Sequence, residues 1–116
     1  MQLDRGGYPT RVFNRTTTGN GDTFNLPAES GLYNGSLVLQ AIGSPAGGTI
    51  TAITVSLQVS LDGGTTWGDF ITGTNLQTGP KKLDVGGLGA GALLRLASTT
   101  FTLGTATGID IYAIAG

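Results

Sequence analysis

The chain contains no histidine and no cysteine. Zinc fingers, iron–sulfur clusters, thiol nucleophiles and Ser-His-Asp triads all need one or the other, so none can be built here. Without cysteine there is no disulfide either, and the redox compartment is left open. Charge is also scarce. Acidic and basic residues make up 11% of the chain, against about 25% in an average protein. The formal net charge of -1 argues against a nucleic-acid surface, which requires a basic patch. Apolar runs such as Leu37-Val38-Leu39 are far shorter than the roughly 18–20 residues of a membrane span, so no membrane contact is expected. The opening Met1-Gln2-Leu3-Asp4-Arg5-Gly6-Gly7-Tyr8-Pro9 has no apolar stretch of the kind a secretory signal requires. No enzymatic activity, cofactor or metal is expected.

What is present suggests one small domain. The 116 residues suffice for a single modest core that buries roughly 65% of the unfolded surface. Glycine supplies 21 of them, where about 7% is usual. With so little charge, the surface must consist of Thr, Ser, Asn, Gln, Gly and some apolar groups. Like charges normally keep copies of a soluble protein apart. The composition therefore fits either a polar-coated β domain or a subunit that lives packed against other subunits.

Residues 1–22 differ from the rest. They hold Arg5, Arg11 and Arg15, three of the six basic residues, and only Val12-Phe13 is clearly apolar. This composition predicts an extended N-terminal arm over 1–22 and a β-sandwich domain over 23–116. An arm with so little apolar mass adds little to a core of its own, so the expected holder is a neighbouring subunit. Arg5, Arg11 and Arg15 would then meet carboxylates there, with Val12 and Phe13 as apolar anchors.

Period-two alternation dominates the remainder. In Ile53-Thr54-Val55-Ser56-Leu57-Gln58-Val59-Ser60-Leu61 every odd position is apolar and every even one polar, the pattern of a half-buried antiparallel strand. Ile53 to Leu61 should thus present its odd positions to one core. Further strands are expected at Ser36–Ile42, Trp67–Ile71, Lys82–Val85, Ala92–Ser98 and Ile109–Ile114, with shorter candidates at Arg11–Arg15 and Thr23–Leu26. Leu93, Ala97 and Phe101 share a helical spacing. However, the segment lacks a cap and runs into Ser98-Thr99-Thr100, all poor helix formers. Short strands separated by Gly-rich turns predict an all-β, single-domain antiparallel β-sandwich, jelly-roll-like in style.

One local motif stands out. Ser60-Leu61-Asp62-Gly63-Gly64-Thr65-Thr66-Trp67 fits S-x-D-x-G-x-T-W at each fixed position and resembles the Asp-box hairpin of sialidase-type propellers. Asp62 can fold its carboxylate onto the turn amides. Gly63 and Gly64 supply positive φ, and Trp67 can cover the hairpin and give its indole N–H to a carbonyl. Ser60, Asp62, Gly64, Thr66 and Trp67 are therefore read as a structural hairpin. A propeller needs several blades of about 40–50 residues, and Arg5, Arg11, Arg15 and Arg95 form no arginine cluster, so a glycosidase is not expected.

Weaker constellations favour bland readings. Asp62, Asp69 and Asp84 offer oxygen ligands for calcium, but no D-x-D-x-D-G loop is present and turn aspartates are the simpler reading. Tyr33, Trp67, Phe70 and Tyr112 would stack on a sugar if exposed together, though core or interface positions are the expected ones. Lys81-Lys82 reads as a solvated turn. Val85 to Gly91 lacks the P-loop pattern and reads as a flexible connection.

Three stretches, Val55–Trp67, Leu83–Leu96 and Ala106–Gly116, resemble in style the small Gly/Thr-rich, cysteine-free virion proteins of tailed bacteriophages, the head decoration or cement proteins and minor tail proteins. This resemblance implies a non-enzymatic structural protein bound in many copies to a capsid. Its implied partners are the major capsid protein and sister copies of itself, in a homo-oligomer such as a trimer, within a virion assembled in the host cytoplasm. The alternative is a glycan-binding module of a head fibre or tail.

Overall fold

The computed structural model describes residues 2–3, 7–27, 32–33, 35–45, 47–89 and 91–115. It is an all-β sandwich. The strands are β1 (Thr10–Arg15), β2 (Leu32–Tyr33), β3 (Ser36–Ser44), β4 (Ile50–Ser60), β5 (Gly68–Asn75), β6 (Lys81–Asp84), β7 (Leu88–Gly89), β8 (Leu93–Leu103) and β9 (Gly108–Ala115). One sheet has four strands in the order β1-β9-β3-β6, and the facing sheet has three, β5-β4-β8. A two-stranded ribbon pairs β2 with β7.

Alternation along each strand aims one set of side chains at the space between the sheets. Leu37 and Leu39 of β3, Leu83 of β6 and Ile109, Ile111, Ala113 and Ala115 of β9 line it from one side. Ile53, Val55 and Leu57 of β4 and Leu94 and Leu96 of β8 meet them from the other. The segment from Leu93 to Leu103 is one long strand, paired along its length with β4. The helical spacing within it has no structural consequence.

Of the arm expected over 1–22, Leu3 and the stretch from Thr10 onward are instead built into the domain. Thr10 to Arg15 pairs antiparallel with β9, with a bulge between Arg11 and Phe13. That bulge turns both Val12 and Phe13 inward, and both are fully buried. The Phe13 ring lies 6.4 Å from that of Phe101 on β8, so the first strand reaches across to the opposite sheet. Leu3 is buried as well. Two side chains placed on the inner face at a bulge suffice to anchor a six-residue strand, however few its apolar residues.

The chain that follows β1 closes one side of the sandwich. Ser98 donates its N–H to the Gly19 carbonyl at 2.9 Å, Gly21 to Leu96 at 2.8 Å, and Phe24 and Leu94 exchange bonds at 2.9 and 2.8 Å. Asp22 donates to Val12 at 2.9 Å. Residues 19–24 thus tie the edge of β8 to the edge of β1. Gly21 permits this approach, because a Cβ there would lie 2.6 Å from the Val12 carbonyl oxygen. On the other side β5 and β6 are edge strands. Lys81 and Lys82, read as a turn, belong to β6, where lysines and the preceding Pro80 discourage further strand pairing.

Because Phe13 fills the seam between the sheets, Phe13→Ala should lower the free energy of unfolding by about 3–5 kcal/mol, measured by urea denaturation followed by circular dichroism. Deleting residues 1–15 should abolish the cooperative transition. A truncated chain that melts like the full one would show β1 to be dispensable.

Candidate functional site

The β4–β5 hairpin carries the densest polar network. Ser60 is the last residue of β4 and is only 1% exposed. Its hydroxyl donates to Asp62 Oδ1 at 2.7 Å and accepts the Gly64 N–H at 2.9 Å. The same Oδ1 accepts the N–H groups of Thr65 at 3.2 Å and Thr66 at 2.9 Å. The chain can turn this tightly because Gly63 and Gly64 adopt φ of 77° and 98°. Trp67 returns its indole N–H to the Gly64 carbonyl at 3.0 Å. Ser60, Asp62, Gly64, Thr66 and Trp67 are therefore brought together in one hairpin.

This network also explains where the strand alternation ends. Ile53, Val55 and Leu57 are buried as the pattern predicts, Val59 is half-buried, and Leu61 is 83% exposed. Ser60 is drawn inward by its two turn bonds, and Leu61 becomes the first residue of the loop. Ser56 is buried too, on the outward side of the central strand, opposite Ala97 of β8.

Electrostatically, Asp62 is held at a pKa of about 2, below 3.8. The Thr66 N–H is the largest cause, with the hydroxyls of Ser60 and Thr66 next. A carboxylate so strongly bound to its own turn is ionised throughout the neutral range and is a poor proton carrier.

Beyond the hairpin lies a row that the alternation alone did not reveal. Arg95 stands with its guanidinium carbon 4.2 Å from the centroid of the Trp67 ring. Its Nε donates to Gln58 Oε1 at 2.8 Å, and the Gln58 amide donates to Asp69 Oδ1 at 2.9 Å. Asp69, Gln58 and Arg95 lie side by side across the three strands. This outer face is polar, with Thr54 and Thr100 continuing it. Among the described residues no group of three or more His, Cys, Asp or Glu could hold a metal; Asp84 accepts the Gly86 N–H at 3.0 Å instead.

The outer face of the four-stranded sheet is more apolar along its two central strands, with Lys82 and Asp84 on the edge strand. Val38 pairs with Ile114 and Gln40 with Tyr112, while Val38 and Ile42 are 37% and 39% exposed. Pro9, Val38, Gln40, Pro80, Tyr112 and Ile114 line a shallow hollow of about 110 Å³. The signal for this face was present in the sequence. Val38 and Ile42 fall opposite Leu37 and Leu39 on β3, and Tyr112 and Ile114 fall opposite Ile111 and Ala113 on β9. Apolar residues on both faces of a strand mark two-sided burial.

The expected arm contacts are resolved differently. Val12 and Phe13 anchor within the chain. Arg15 donates to the carbonyls of Thr17 at 3.0 Å and Asn20 at 3.2 Å, bracing its own turn. Arg11 is exposed beside Tyr112, and Arg5 lies outside the described residues.

Compared with protein-family models, curated proteins and solved structures, the chain matches none.

If the hairpin depends on an ionised Asp62, Asp62→Asn should lower the melting temperature by several degrees at pH 7. A folded-state pKa below the unfolded value stabilises the fold above about pH 4, and this contribution is lost as pH falls to about 2. The difference in melting temperature between wild type and variant should therefore close over that window. A difference unchanged from pH 7 to 2 would rule out the carboxylate as its source.

Proposed function

We propose that the chain is a non-enzymatic structural protein of a virion, of the decoration or cement type, which binds the outer head surface of a tailed bacteriophage and stabilises the shell. The observation that carries this reading is the apolar outer face around Val38, Ile42, Tyr112 and Ile114, which nothing in the described chain covers. An exposed apolar face on a nearly uncharged domain marks an interaction surface. Further support comes from the resemblance in style to phage virion proteins and from a sandwich that presents fixed faces. A repeated subunit can strengthen a shell with modest contacts, because many copies act together and each apolar Å² contributes roughly 25 cal/mol before association costs.

Catalysis is disfavoured because Asp62, the residue with the most perturbed acidity, has its carboxylate engaged by its own turn. The glycan-binding alternative requires aromatic faces that converge on a groove. Trp67 immediately precedes β5 with one ring face covered by Arg95, Phe70 of β5 is 43% exposed, and Tyr112 stands on the other sheet. The side chain of Tyr33 lies outside the described residues.

An antiserum against the purified chain should detect it in gradient-purified particles from the culture that encodes it, in amounts comparable to the shell protein. Adding the purified chain to particles that lack it should raise the temperature at which they release DNA. A chain absent from particles that binds immobilised host glycans would replace this reading with the adsorption module.

A further inference from the structure

We propose that Arg95, stacked on Trp67 at the outer face of the three-stranded sheet, is the binding site for an acidic side chain of a partner protein. The guanidinium is fixed on two sides. Its Nε edge donates to Gln58 Oε1 at 2.8 Å, and one face lies over the Trp67 ring, 4.2 Å from its centroid. Both supports are themselves held. Gln58 gives its amide to Asp69 Oδ1 at 2.9 Å. The Trp67 indole is tied to the Gly64 carbonyl at 3.0 Å, in the turn that Asp62 holds together.

The guanidinium lacks a counter-charge at contact. Among the described residues no hydrogen bond or ion pair reaches its Nη groups. The chain meets it with a neutral amide and a ring, and the acid of the row, Asp69, stands on the far side of Gln58. The free Nη pair is the part of the fork that takes a carboxylate end-on, through two parallel charge-assisted bonds. The adjacent row, Ser56 and Ala97, has only short side chains, so the sheet itself raises no wall beside the fork there.

The layout of the row favours a protein over a sugar acid or a polyanion. Arg95 already occupies one face of the Trp67 ring, which removes that face as a platform for a sugar. Asp69 is exposed and lies two strands from Arg95, about 10 Å away at a strand spacing of about 4.8 Å. A polyanion on Arg95 would meet that carboxylate. The complement of the row is an acid with a cation or N–H donor about 10 Å from it, which side chains on a protein surface provide. One such contact contributes register more than affinity. It lies on the sheet opposite the apolar face assigned to the shell, so it stands or falls apart from that assignment.

The chain has a single tryptophan, so its one indole N–H resonance in a nitrogen–proton correlation spectrum reports on the site. N-acetyl-glutamate amide, added to the purified chain at an ionic strength held constant with sodium chloride, should move that resonance saturably. The expected dissociation constant is on the order of 10 mM. The neutral analogue, N-acetyl-glutamine amide, should leave the resonance in place. Arg95→Gln should abolish the response. Arg95→Lys, which keeps the charge but not the fork, should weaken binding fivefold or more, with circular dichroism verifying that each variant folds. Lys81→Gln, on the other sheet, should bind as wild type does. The absence of a saturable shift up to about 100 mM overturns the proposal. So does an equal shift with the glutamine analogue, or an Arg95→Lys chain that binds as tightly as wild type. Glucuronate binding tenfold more tightly than the glutamate analogue would overturn the protein partner in favour of an acidic sugar.

Discussion

The cohesion of this domain depends on one apolar seam between two sheets, and both ends of the chain must enter it. No disulfide or histidine-bound or cysteine-bound metal can staple the fold, and charge is too sparse to contribute much. The seam closes because β1 lies beside β9, near the other end of the chain, and because Phe13 crosses to Phe101. Residues 19–24 then bond both sheet edges on that side. Without β1, Ile109 and Ile111 of β9 would lose their cover on one flank, and the strap that seals β8 would lose its second attachment.

That dependence explains why the molecule can present two unlike outer faces. A core held from within leaves the outward positions free to vary. On the three-stranded sheet they form a linked polar row in which Asp69, Gln58 and Arg95 bond in sequence and Arg95 stacks on Trp67. On the four-stranded sheet the two central strands place Val38, Ile42, Tyr112 and Ile114 at the outward positions beside Gln40 and Asp110, with Lys82 and Asp84 on the edge strand. The hairpin that joins β4 to β5 is rigid for a local reason, since Ser60 and Asp62 bond the turn amides and Trp67 caps it. The Asp-box here acts as a folding device, with its acid committed to the backbone.

How much could be seen beforehand depended on the range of the interaction. The alternation from Ile53 to Leu57, the turn glycines and the contacts of Asp62 and Trp67 were legible because each is decided within a few residues. The end of that alternation was not. Whether Ser60 or Leu61 points inward depends on the turn bonds that capture Ser60. Lys81 looks like a turn residue by composition, and only pairing with Leu39 makes it strand.

From its sequence alone, the chain is bound to be an all-β domain without thiol, imidazole or strong field, because composition and two-residue periodicity are properties of the backbone and its nearest neighbours. Which strands lie side by side was left to the tertiary structure. β1 pairs with β9 and β3 with β9 across most of the chain's length, and no local pattern encodes a partner so far away. The same distance hid the role of the first residues. Val12 and Phe13 look like a small apolar mark in a polar arm until a bulge turns both inward and a strand from the far end supplies the sheet that receives them.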